Sequence, residues 1–150
     1  MRYKIVNVRQ LRVCDPTPIA QKSRVLNSLD VIPILQAFFE SVQNDQEKIV
    51  VLPLSTKHHI LGLQVVHEGA MCYTVVSIPA ILRNVLVSGA EQFICAHNHP
   101  SGNPLPSAED DQVADKLKQA TKSCSLNLLD FIIIGDGTGD YYSYLDRGKL

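Results

Sequence analysis

Apolar residues recur along this chain with two spacings, and each switch between them marks a change of element. Residues 1–13 set Ile5, Val6, Val8 and Val13 among basic and polar neighbours, which predicts an extended segment. Asp15-Pro16-Thr17-Pro18 then breaks the pattern, because each proline fixes φ and removes a backbone donor. Residues 14–27 are expected to form an irregular arm. From Asp30 the spacing is helical, with Val31, Ile32, Leu35, Phe38, Phe39 and Val42 on one stripe. Pro33 is expected in the first turn of that helix, where N–H groups lack intrahelical partners.

Glu47 to Leu54 contains the β-branched run Ile49-Val50-Val51-Leu52 and predicts a strand. The polar stretch Thr56-Lys57-His58-His59 predicts a turn, and Ile60 to His67 a second strand completing a hairpin. A short extended piece follows over Tyr73 to Val76. Pro79 opens a helix with Ile81, Leu82, Val85 and Leu86 on its apolar face, and Gly89 stops it. Glu91 to His99 predicts a strand, and Pro100 to Pro106 a loop rich in turn residues. Ser107 to Cys124 is the clearest helix. Leu128 to Ile134 forms a further strand, on which Tyr141 to Tyr144 pairs back. The predicted order α-β-β-β-α-β-α-β-β implies an α+β domain with a mixed sheet flanked by helices. The expected division is a strand and arm over 1–27 and a single domain over 28–150.

Composition narrows the function classes. Of 150 residues, 45% are apolar and 19% charged, which suits a folded domain and not a disordered chain. A formal net charge of −1 offers no general attraction to nucleic-acid phosphates or anionic membranes. No apolar run is long enough to span a bilayer, and Met1 to Val6 lacks a secretory pattern, so a cytoplasmic location is expected. Cys14, Cys72, Cys95 and Cys124 are widely spaced and are expected to be small buried hydrophobes. His58, His59 and His67 are expected at the surface of the hairpin, and Lys116, Lys118 and Lys122 on a solvated helix face.

Three residues stand out chemically. Strand alternation points His97 and His99 one way, with Phe93 and Cys95, at the carboxyl end of a strand. On the following helix Val113, Ala114, Leu117, Ala120, Thr121 and Cys124 fall in one arc, and Asp110 lies inside it. An inward carboxylate is costly unless a metal, an arginine or backbone donors pair with it. Only a metal also accounts for the two histidines. Ser107-Ala108-Glu109-Asp110 alternatively follows the capping-box pattern, which needs no metal. Three protein ligands and an open fourth position are the arrangement of catalytic zinc. Such a site needs a base, for which Glu47, Glu91 and Glu109 are candidates and Glu47 the best of them.

His97-Asn98-His99-Pro100 with Ser107 and Asp110 reads H-x-H-P-x(6)-S-x-x-D. This resembles the JAMM signature of the JAB/MPN metalloproteases, and the string through Ser107 is similar to the RadC branch. Glu47 to Leu54, Gly69, Pro79, Leu128-Leu129-Asp130, Ile134-Gly135, Ser143 and Gly148 also fall where that branch has its landmarks. The resemblance implies a JAB/MPN-like (cytidine-deaminase-like) fold, a curved mixed sheet flanked by helices. It implies Zn2+ held by His97, His99 and Asp110, with Glu47 shuttling a proton and Ser107 donating to an oxyanion. The implied reaction is hydrolysis of a peptide or isopeptide amide in a peptide or protein substrate. The chain departs from the branch at Ala70, at Ala80-Ile81 and at Phe131, which replaces a usual histidine. Two alternatives are a JAB-fold interaction module without turnover and a DNA-repair or DNA-processing accessory. Near-neutral charge and the lack of a helix-hairpin-helix module before the domain weigh against direct DNA contact.

Overall fold

The computed structural model describes residues 24–42, 45–69 and 76–150. The strand expected over 1–13, most of the arm, the piece from Tyr73, and Cys14 and Cys72 lie outside the described residues. Arg24 bridges to His59, and the buried Val25 donates its N–H to the His58 carbonyl at 2.9 Å. Helix α1 spans Ser28–Ser41 and buries Val31, Ile32, Leu35 and Phe39, as its stripe predicts. The Asp30 carboxylate caps it, accepting from the Leu26 and Asn27 N–H groups at 2.8 and 3.1 Å. The helix therefore starts earlier than Asp30. Pro33 consequently lies in the second turn, not the first, and leaves the Leu29 carbonyl without its usual donor.

Strands β1 (Lys48–Leu54), β2 (Gln64–Glu68), β3 (Gln92–His99), β4 (Asn127–Gly135) and β5 (Tyr141–Ser143) form one sheet in the order β2-β1-β3-β4-β5. The β3–β4 pair is parallel and the other three are antiparallel, so the sheet is mixed. A parallel pair needs a crossover, and helix α3 (Ala108–Ser123) supplies it. The second strand of the hairpin is shorter than expected. Ile60 makes only an isolated bridge to Leu54, and continuous pairing begins at Gln64. His58, at φ 64°, turns the chain in a way that delays the ladder.

The sheet is buried on both faces, and β1 is buried at every position. One face carries Ile49, Val51, Phe93, Cys95, Phe131 and Ile133 against α3 and helix α2 (Ile78–Val87). The other carries Val50, Leu52, Ile94, Ala96, Ile132 and Ile134 against α1. A register shift between Phe93 and Ile94 leaves Leu129 as an extra residue, which puts Leu128 on the same face as Phe131. In α2, Ile81 and Val85 are buried but Leu86 is 55% exposed, so the expected apolar face is narrower. Cys95 is buried as expected, whereas Cys124 is exposed because it is the C-cap of α3.

Two glycines set the end of β3. Gly102 (φ +82°) donates its N–H to the His99 carbonyl at 3.0 Å, which folds the loop back over the strand. A Cβ on Gly135 would lie 2.2 Å from the Gly102 carbonyl oxygen, so only glycine admits this approach.

Candidate metal centre

Strand β3 and helix α3 bring together the two histidines and the acid singled out by the sequence. His97 (0% exposed) and Asp110 (1% exposed) are buried, and His99 is partly covered. His97 Nε2 lies 3.1 Å from Asp110 Oδ1 and 3.1 Å from His99 Nε2, which in turn lies 3.4 Å from Asp110 Oδ2. The His99 Nδ1–H donates to the Asn103 carbonyl at 2.7 Å, which leaves the Nε2 lone pair facing the cluster. Among the described residues this is the one group of three or more such side chains that could hold a metal ion.

Asp110 is both a cap and a cluster member. Its Oδ2 accepts from the Ser107 N–H at 2.7 Å and the Ser107 hydroxyl at 2.7 Å, while its own N–H donates to Ser107 Oγ at 3.1 Å. The capping box and the inward carboxylate thus coexist, one on each oxygen. Oδ1 is buried and has no hydrogen-bond partner among the described residues. Burying a carboxylate is costly unless a positive charge reaches it, and the group nearest Oδ1 is the His97 ring at 3.1 Å. The donor set of two imidazole nitrogens and one carboxylate oxygen fits a divalent ion of borderline hardness. Burial alone would raise the Asp110 carboxyl, but the His97 and His99 rings and the Ser107 N–H hold it far below the usual carboxylate range.

Burial favours the neutral His99 ring, but Asp110, the Asn103 carbonyl and the Glu47 charge outweigh it and raise its pKa above 6.5. A raised pKa lets protons compete for Nε2 at higher pH. Metal affinity is therefore expected to fall on acidification, starting above the ordinary imidazole range, and to recover as pH rises. Zinc titrations from about pH 8 down to about pH 5 measure this, and a pH-independent affinity would refute it.

Around these three side chains the packing is apolar. The Phe131 ring stands 5.4 Å from the His97 ring and meets the Tyr144 ring edge-on at 5.2 Å. Phe131 offers no hydrogen-bond acceptor, and the buried His97 Nδ1 has no partner among the described residues. Cys95 shares the face of His97, but burial pushes its thiol up and keeps it protonated. On the far side of the first turn of α3, Asp111 accepts from the Tyr144 hydroxyl at 2.8 Å and pairs with Lys149 at 3.1 Å. These contacts anchor the turn that carries Asp110.

Glu47 immediately precedes β1. The last β1–β3 pair is Ile49 with His97, so Glu47 lies two residues beyond the ladder, toward the end of β3 that carries His99, and its charge acts on the His99 ring. Glu47 also shares strand parity with Ile49 and Val51, the face on which the histidines lie. It lines a cleft of about 470 Å³ with Asp45, Gln46, Gly69, Pro100 and Ser101. Glu91 lies before the other end of β3, and Glu109 is exposed on α3. His59 is exposed, and His58 and His67 are half-buried, away from this cluster.

The sequence assigns Asn98 no role beyond its place between the two histidines. It is wholly buried and bonded to residues on either side of Glu47. Its position inside the H-x-H motif was the only available signal.

The family described as RadC-like JAB domain matches residues 25–149. The chain belongs to that family. Its mixed five-stranded sheet flanked by helices is accordingly a JAB/MPN-like fold. Among its relatives is a UPF0758 protein of Halalkalibacterium halodurans, 40% identical over 105 residues, covering 70% of this chain and 44% of the relative. A UPF0758 protein of Methanosarcina mazei is 39% identical over 106 residues, covering 71% and 45%. Another, from Methanosarcina barkeri, is 34% identical over 127 residues, covering 85% and 54%. The matched part is thus about half the length of these curated relatives. No helix among the described residues is long and apolar enough to cross a membrane.

Proposed function

We propose that this domain is a zinc-dependent hydrolase of the JAMM type that cleaves a peptide or isopeptide amide bond. The observation that carries the reading is the buried Asp110 carboxylate, whose Oδ1 lies 3.1 Å from His97 Nε2, beside His99 Nε2. His97, His99 and Asp110 would hold the ion. When bound, zinc supplies a Lewis acid that makes hydroxide available near neutral pH.

The remaining work falls to the chain itself. Glu47, at the mouth of the cleft, takes the proton of the attacking water on its carboxylate and passes it to the departing amine nitrogen. Ser107 is exposed and adjoins Asp110, where its hydroxyl can turn from Asp110 Oδ2 to an oxyanion developing on the substrate carbonyl. The Asn103 carbonyl holds His99 in the required tautomer throughout. The substrate is a peptide or protein segment seated along the cleft beside Glu47.

The test is incubation of the zinc-loaded protein with peptide and isopeptide-linked libraries. Cleavage that stops with chelator and returns with zinc is the expected result; libraries left intact by a folded, zinc-loaded protein would overturn the proposal. Ser107→Ala is expected to lower the rate by about 10²–10³-fold, the usual loss for one oxyanion donor. Its loss of helix capping should cost only about 1 kcal/mol. A rate loss explained by unfolding alone would remove Ser107 from the chemistry.

A further inference from the structure

The geometry points to Asn98 as a positioning residue that fixes Glu47 against the metal ligands, with Asp136 fixing Asn98 in turn. This inference rests on the hydrolase reading above. Asn98 stands between His97 and His99 but faces the other side of β3, with Ile94 and Ala96. Its side chain is fully buried and makes three hydrogen bonds. Oδ1 accepts from the Lys48 N–H at 2.7 Å. Nδ2 donates to Asp136 Oδ2 at 2.6 Å and, at a longer 3.4 Å, to the Gln46 carbonyl. Gln46 and Lys48 are the residues on either side of Glu47. The amide therefore grips the backbone leading into β1 on both sides of Glu47.

The location of this grip is informative. Backbone pairing between β1 and β3 ends at Ile49 and His97, two residues short of Glu47. Beyond that point the Asn98 side chain takes over the task of joining the two chains. Only a group with one acceptor and one donor edge can meet both an N–H and a carbonyl. Asp136 decides which edge faces which, because a carboxylate admits only the NH₂ side. Asp136 is itself tied to the site, since its N–H donates to the His99 carbonyl at 3.1 Å. Its other oxygen, Oδ1, is buried with no hydrogen-bond partner among the described residues, so Asn98 is the contact that settles this carboxylate. From the opposite side the Gly69 N–H donates to the Glu47 carbonyl at 2.9 Å. One network thus sets the spacing between the base on β1 and the ligands on β3.

The experiment compares wild type with Asn98→Ala, Asp136→Ala and Asp136→Asn, each loaded with Co2+ in place of zinc. Paramagnetic relaxation of the Glu47 side-chain methylene signals reads its distance from the ion without any turnover. Both alanine variants are expected to keep the ion and to lose several-fold of that relaxation. Asp136→Asn retains an acceptor for Asn98 and is expected to keep it. On a substrate found in the library screen, the alanine variants should lower kcat by about 10²-fold with KM unchanged, as expected for a misplaced catalytic group. Wild-type relaxation and kcat in metal-loaded Asp136→Ala, which alters a half-exposed turn, would overturn the inference. So would a kcat loss that only tracks metal loss. Failure of the wild type to take up Co2+ would sink the metal reading itself, a different result from uptake with no effect of the variants.

Discussion

Glu47→Gln is expected to lower the proposed hydrolysis rate by about 10²–10⁴-fold while leaving metal content and thermal stability at wild-type values. The substitution keeps the shape and length of the side chain and removes its charge and its capacity to carry a proton. Glu47 is half-buried at the edge of the cleft and outside the metal-ligand cluster, so the cluster survives the change. The check is kcat and KM beside elemental analysis of the same sample. A metal-loaded Glu47→Gln protein with full activity would transfer the proton role elsewhere.

The second large effect concerns Asp110. An ion that binds the folded chain alone stabilises it by about 4 kcal/mol when present at a thousand times its Kd. At roughly 2–4 °C per kcal/mol for a domain near this size, chelation should lower the wild-type Tm by about 8–16 °C. Asp110→Asn removes the charge that the ion needs but leaves an oxygen able to accept from the Ser107 N–H. Its Tm is therefore expected to be insensitive to chelator, with helix α3 still formed. Thermal scans with and without chelator measure this. An Asp110→Asn variant that keeps the wild-type shift would show that Asp110 serves only as a cap.

Much of this centre was legible because strand and helix periodicity act locally. Alternation placed His97 and His99 together, and helical spacing turned Asp110 inward. Competing cap and metal readings of Asp110 could not be separated from spacing, because the same carboxylate caps helix α3 through Oδ2 and faces His97 through Oδ1. What local pattern missed depends on long-range registry. Asn98 draws its partners from positions 46, 48 and 136, which no single window spans. The approach of Glu47 to the His99 end of β3 likewise needs the antiparallel β1–β3 register, so the sequence could name Glu47 as the best candidate base without placing it. The errors have local causes. The Asp30 cap begins α1 before its apolar stripe and moves Pro33 into the second turn. The positive φ of His58 and the isolated bridge at Ile60 shorten β2. Cys124 follows the apolar arc of α3 but falls on its exposed C-cap.

The most direct test of the central claim is metal stoichiometry by elemental analysis of the zinc-exposed protein and its His97→Ala variant. His97 is the more deeply buried histidine of the cluster, and its ring lies against both other members. The account predicts about one equivalent of zinc in the wild type and none in a folded His97→Ala protein. Zinc absent from both, or present equally in both, would contradict it.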